Sequence, residues 1–223
     1  MSKIKVHDEP RFSVNKLGEY LTANPSRRRR LIQDQKYPPA FITSRYKMAR
    51  EAIIRFIMKG YDEAIIYDAI EEIKESTLKE EEKENSILAL NETLKTDMPD
   101  LDGVKIKRYN PKKKPKLHIN GLDVSVNPDL VLQKNDNIGC LKVHIIKTER
   151  NRLSEEAQKL VGTLLWKYAD HYLTDDDQPP FKDYCISIDC FGNSHEIAPK
   201  SDSRRWSNIQ AACEEIALIW DSV

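Results

Sequence analysis

The sequence contains no run of about 18 consecutive apolar residues, the length at which a helix spans a bilayer, so no membrane-spanning helix is expected. Its first ten residues, Met1 to Pro10, lack the apolar centre of a secretory signal, and a cytoplasmic location is expected. No cysteine pair has the Cys-x-x-Cys spacing of a zinc or redox site. Cys140, Cys185, Cys190 and Cys213 are expected to be buried free thiols. There is no GxGxxG, Walker A, GxSxG or HExxH motif, which argues against a dinucleotide enzyme, a P-loop NTPase, an α/β-hydrolase and a zincin. No internal repeat is visible.

Net charge is also absent: 36 basic residues balance 36 acidic ones. The balance hides blocks. Residues 1–60 carry 14 Lys and Arg against 5 Asp and Glu, and residues 61–102 carry 4 against 14. Residues 103–118 carry 7 against none, and residues 119–223 carry 11 against 17. Local basic patches rather than net charge decide whether phosphates are attracted. The two basic patches are Arg27, Arg28, Arg29 and Arg30, and the loop Lys112, Lys113, Lys114 to Lys116. Four consecutive arginines on a helix point in all directions, so some face solvent. The same blocks also suit solvated faces or pairing with the acidic segment.

What is present divides at Met98–Gly103. Before it, apolar residues recur at helical spacing. A short helix follows a cap at Ser13 or Asn15, and a second carries the arginines, with Ser26 a candidate cap. A strong helix spans Phe41 to Met58 and ends at Gly60; two more run from Asp62 and from about Thr77 to Lys95, the last with Ile87, Leu88, Leu90 and Leu94 inward. Residues 1–12 read as irregular. After residue 103 the period becomes 2. Val104–Tyr109 is an edge strand guarded by lysines, and Asn120-Gly121 turns a hairpin between Leu117–Ile119 and Leu122–Val126. Strands follow at Pro128–Leu132, Ile138–Lys147 and Tyr184–Phe191, with helices from Ser154 to about Leu173 and from Ser203 to Val223. The expected fold is α+β: a helical region over 1–102, its helix at 41–59 packed on the sheet, and an α/β core over 103–223. Asp175, Asp176 and Asp177 form an acidic loop without the EF-hand ligand pattern, so calcium is not expected there.

The stretch Leu122 to Lys142 reads as paired strands around a turn, with Pro128-Asp129 ending one alternating run and Lys142 inside the next. A lysine in an apolar strand is expensive unless it reaches a partner or a cleft. Pairing with Asp129 would satisfy both; Asp129 is equally suited to capping a turn. Cys140, Lys142 and His144 alternate onto one face of their strand.

This arrangement resembles the restriction-endonuclease-like core of the PD-(D/E)XK nucleases: helix, strand hairpin with Pro-Asp, strand with x-x-Lys, helix, strand, over about residues 41–200. The resemblance implies a phosphodiesterase acting on nucleic acid, DNA more than RNA, in DNA processing or defence against foreign DNA. It implies Mg2+ or Mn2+ held by Asp129, with Lys142 as the catalytic lysine. The second metal-binding acid should stand two residues before the lysine, where this chain has Cys140, a poor ligand for a hard cation. Glu51 or Glu156 would have to supply the carboxylate from another element, or His144 would shift the preference to manganese. Gln158 lies on the helix where the RecB-like branch carries a glutamine, although Tyr168 follows at ten residues instead of four. Three functions remain open: a metal-dependent nuclease, an inactive nuclease-like fold that binds nucleic acid or protein, and an interaction protein unrelated to nucleic acid. A homodimer or a protein partner is compatible with each.

Overall fold

The computed structural model describes residues 6–38, 46–174 and 178–223. The chain opens with a short strand, β1 (Arg11–Ser13), and a helix, α1 (Val14–Thr22), whose first turn is capped by the Ser13 hydroxyl accepting from the Lys16 N–H at 3.4 Å. In α2 (Pro25–Lys36) the cap is Asn24, which accepts from the Arg27 N–H at 2.9 Å, rather than Ser26. Pro25 explains the shift: it has no N–H to lose at the first helical position and its φ is already helical. Then come α3 (Lys47–Met58), α4 (Ala64–Glu75) and α5 (Glu80–Lys95). The expected start of the third helix at Phe41 and the triple-aspartate loop lie outside the described residues. Gly60 closes α3 at φ +70°, a conformation that costs a glycine little. In α5, Ser86, Ala89, Leu90 and Thr93 face inward, whereas Leu88 is exposed, so the buried stripe is rotated from the one expected.

The second half comprises β2 (Lys105–Arg108), β3 (Leu117–Ile119), β4 (Leu122–Ser125), β5 (Leu130–Lys134), β6 (Asn137–His144), α6 (Glu155–Tyr172), β7 (Ile186–Asp189), β8 (Ser194–Ile197) and α7 (Ser203–Ile219). Ser154 caps α6 by accepting from the Ala157 N–H at 3.2 Å. Two sheets form. One has the order β2-β5-β6-β7-β8, antiparallel except for β6 and β7, which α6 connects in parallel. The other is β1-β4-β3, in which the β3–β4 hairpin turns through Asn120 (φ +44°) and Gly121 (φ +83°). The stretch Leu122 to Lys142 is thus shared between two sheets. It changes sheet at Asn127, which is left-handed (φ +47°), followed by Pro128, which cannot donate to a ladder. Two strands lay below sequence reading: β1, inside the segment expected to be irregular, and β8, which follows the Gly192-Asn193 turn. Both are three or four residues long and take their order from neighbours.

Two apolar cores lie on opposite faces of the large sheet. Leu130, Leu132, Leu141, Val143, Ile186 and Ile188 pack against α3, α4 and α5. Cys140 and Cys185 pack on the other side, against α6 and a cluster built from α1, α2, α7 and the small sheet. Each core draws residues from both sides of residue 102, so the division expected there does not separate two cores. The four cysteines are buried free thiols. Among the described residues, no helix is long and apolar enough to cross a membrane.

Candidate anion-binding cleft

A cleft of about 550 Å³ opens where α3, the loop after β2, the β4–β5 connection and β6 meet. Its charged lining is Arg50 and Glu51 from α3, Arg108 from β2, Lys114 from the proline-flanked loop, Asp129 at the threshold of β5, and Lys142 on β6. Asn15, Asn110, Asn127 and Tyr109 add polar groups. Tyr109 is braced by a 2.9 Å hydroxyl contact with Tyr168 of α6.

Backbone hydrogen bonds hold Asp129 in place. Its N–H donates to the Leu141 carbonyl at 2.9 Å, and its carbonyl accepts from the Tyr109 N–H at 3.0 Å. Both side-chain oxygens are engaged: Oδ1 accepts from Arg50 Nη1 at 2.9 Å and Oδ2 from the Val143 N–H at 2.8 Å. Arg50 Nη1 also donates to the Val143 carbonyl at 3.2 Å, so it ties α3 to both strands. Asp129 therefore neither pairs with Lys142 nor serves only as a turn cap. Lys142 Nζ instead donates to the Asn127 carbonyl at 2.7 Å, across the change of sheet. Burial pushes its pKa down to about 8; the neighbouring Arg50 and Lys114 charges push the same way, while Asp129 opposes them. Near neutral pH it remains largely charged. Glu51 forms an ion pair with Arg108.

Of the residues singled out in the sequence, Asp129, Lys142, Glu51 and Lys114 converge on this cleft. Lys112 and Lys113 are exposed on the same loop but do not line it. Cys140 shares the strand face of Lys142 but lies under α6, fully buried, with Sγ 3.5 Å from the Leu165 carbonyl. It does not face the cleft: at its level the sheet is covered by a helix, whereas Lys142 reaches out towards the β4–β5 connection. Burial raises the Cys140 pKa well above the usual thiol value. His144 is also interior, with Nε2 2.9 Å from the Ser187 hydroxyl, and burial holds it neutral. Gln158 is buried and donates to the Ser194 hydroxyl at 3.0 Å. Glu156 pairs with Arg205 on the surface of α6, at 2.9 Å.

The arginine run stands elsewhere. Arg27 donates to Glu19 at 2.8 Å, and Arg28 donates to the Tyr20 carbonyl at 3.0 Å with its guanidinium over the Tyr20 ring. Arg29 is exposed, and Arg30 pairs with Asp34 at 3.0 Å. Two charged cleft residues were not among the candidates, Arg50 and Arg108. Arg50 lies off the apolar stripe of α3, which marks it as near a border, but no sequence spacing links it to Asp129, 79 positions away.

The donor set fits a divalent cation poorly. Both oxygens of Asp129 accept from donors, one of them a guanidinium, and Glu51 is held by Arg108. Among the described residues, no group of three or more His, Cys, Asp or Glu side chains is placed to hold a metal. Four cations against two carboxylates leave excess positive charge, which repels a cation and draws an anion. The fold and cleft thus define a layered α+β protein with a cationic polar cleft at the junction of its two sheets. Comparison with protein-family models, with curated proteins and with solved structures finds no match to this chain.

Proposed function

We propose that this protein is a restriction-endonuclease-like fold that binds the phosphate backbone of nucleic acid in the Asp129–Lys142 cleft without a resident metal. The observation that carries this reading is the cleft's charge arrangement: Arg50, Arg108, Lys114 and Lys142 surround two carboxylates that are already paired. The topology supports the fold assignment. Helix α3, antiparallel β2, β5 and β6, crossover helix α6 and parallel β7 occur in the order that the resemblance expects, with α4, α5, β3 and β4 between them, Asp129 just before β5 and Lys142 on β6. Lys142 and Lys114 act as point charges, and Arg108 offers a planar fork for phosphate oxygens. In this reading Arg50 neutralises Asp129 as a metal would, so the cation is supplied by the chain. The resemblance favours DNA over RNA.

The convergence of Asp129, Lys142 and Glu51 supports a second reading, a nuclease dependent on Mg2+ or Mn2+. Its donors would be Asp129 and Glu51, and Arg50 and Arg108 would have to release them first. One experiment separates the two. Binding of labelled DNA and RNA is followed by fluorescence anisotropy in chelator over a series of salt concentrations, and cleavage is assayed with each metal. The first reading expects chelator-resistant binding that weakens steeply with salt, through release of counterions from the backbone, and no cleavage. Metal-dependent cleavage abolished by Asp129→Ala would replace it with the second. No binding to either nucleic acid would refute it.

A further inference from the structure

A second cleft, of about 840 Å³, lies along α1, between it, α2 and the start of α6. Asn15 borders the first cleft, whereas its neighbour Lys16, together with Glu19, borders the second. The charge arrangement repeats: Lys16, Arg27, Arg30 and Arg152 face Glu19 and Asp34. Glu19 binds Lys16 at 2.7 Å and Arg27 at 2.8 Å, and Asp34 binds Arg30 at 3.0 Å. Arg152 makes no salt bridge among the described residues; its guanidinium stands 5.8 Å from the Phe191 ring centre, and its charge acts on the Glu92 and Asp189 carboxylates. One of its Nη atoms donates to the Lys147 carbonyl at 3.4 Å, and its buried Nε has no hydrogen-bond partner. The Asn24 and Ser154 caps place the positive ends of α2 and α6 at the rim. With so polar a lining, an apolar ligand has little to bury there.

We infer that this second cleft receives the continuation of the same nucleic-acid strand, so that the protein holds a backbone segment across α1 instead of one isolated phosphate. The inference rests on the proposed function. Two cationic clefts bordered by neighbouring residues of α1, Asn15 and Lys16, suit a repeating polyanion, and a single small anion would need only one of them. Arginine forks, three in this cleft, match phosphate oxygens in pairs.

The test compares single-stranded DNA of about 4 and about 16 nucleotides, the span of known single-strand site sizes. Binding is measured by anisotropy across a salt series for the wild type, Arg30→Ala, Arg30→Ala with Arg152→Gln, and Lys142→Ala. The double variant should bind the long strand about tenfold more weakly and lower its salt slope by about 1, as expected when one or two phosphate contacts are lost. Its affinity for the short strand should stay within about twofold of wild type, while Lys142→Ala should weaken both. Arg30 is 68% exposed, so Arg30→Ala keeps the test decisive if Arg152→Gln disturbs the fold; alone it should weaken long-strand binding about threefold. Unchanged long-strand affinity and salt slope, with Lys142→Ala still impaired, would overturn the second cleft and leave the first reading intact. A wild type that binds neither strand would overturn both. Polyglutamate displacing the long strand as effectively as unlabelled DNA would overturn the nucleic-acid assignment of this cleft.

Discussion

Replacing Lys142 by methionine should make the protein more stable and, at the same time, impair its binding of nucleic acid. The ammonium sits in a strand with little water to solvate it, and its pKa falls from the usual 10.5 to about 8. At about 1.4 kcal/mol per pKa unit, the charged form is disfavoured by at most about 3–4 kcal/mol in the folded state. This is an upper bound, because the group borders an open cleft. Methionine preserves the unbranched chain but leaves the Asn127 carbonyl without its 2.7 Å donor, a loss of about 1 kcal/mol. The net expectation near pH 7 is a gain of about 1–2 kcal/mol, or roughly 2–4 °C in Tm per kcal/mol for a chain of this size. The sign with pH follows from linkage. Between pH 8 and 10.5 the unfolded state binds more protons than the folded state, so wild-type stability rises with pH across that window through this group. The penalty is fully present below pH 8, and the advantage of Lys142→Met should shrink as the pH approaches 10.5. Urea unfolding of both proteins at about pH 7 and about pH 10, followed by circular dichroism, measures the difference directly. A variant less stable than wild type near neutral pH, or a gap independent of pH, would refute the picture of a strained ammonium held for an anion.

Three further outcomes follow from the cleft and its supports. Glu51→Gln should release Arg108 and tighten DNA binding about two- to fivefold by anisotropy, a change of about 0.5–1 kcal/mol; a metal-dependent nuclease would instead lose its cleavage. A double-mutant cycle with Arg50→Ala and Asp129→Ala, read by urea unfolding, should give a coupling of about 1–2 kcal/mol, because the pair joins α3 to β5 and β6. Asp129→Ala alone should cost about 1–3 kcal/mol, since the Val143 N–H loses its acceptor. Gly139→Ala should destabilise by at least about 1–3 kcal/mol in thermal melts, because its Cβ would fall 2.4 Å from the Tyr184 carbonyl oxygen.

The features legible in the sequence were local. Ser13 and Ser154 cap helices because a hydroxyl reaches an N–H three residues on, and Gly60 and Asn120-Gly121 mark turns because few residues adopt positive φ cheaply. Alternation placed β5 and β6, and the Pro-Asp and lysine signals drew attention to Asp129 and Lys142, which do share a cleft. What escaped was the set of partners. Lys142 answers to the Asn127 carbonyl rather than to Asp129, and Asp129 answers to Arg50 from a distant helix. Strand alternation put Cys140 and His144 on the face of Lys142, but α6 covers that face at Cys140, and both side chains are buried. Sequence by itself thus determined most of the elements, the caps at Ser13 and Ser154, and the two residues around which a site could form, because these depend on neighbours a few positions apart. Only the tertiary structure decided the charge of that site. Its other cations arrive on α3, β2 and a loop, and which carboxylates Arg50 and Arg108 neutralise depends on packing across the fold, which no local spacing encodes.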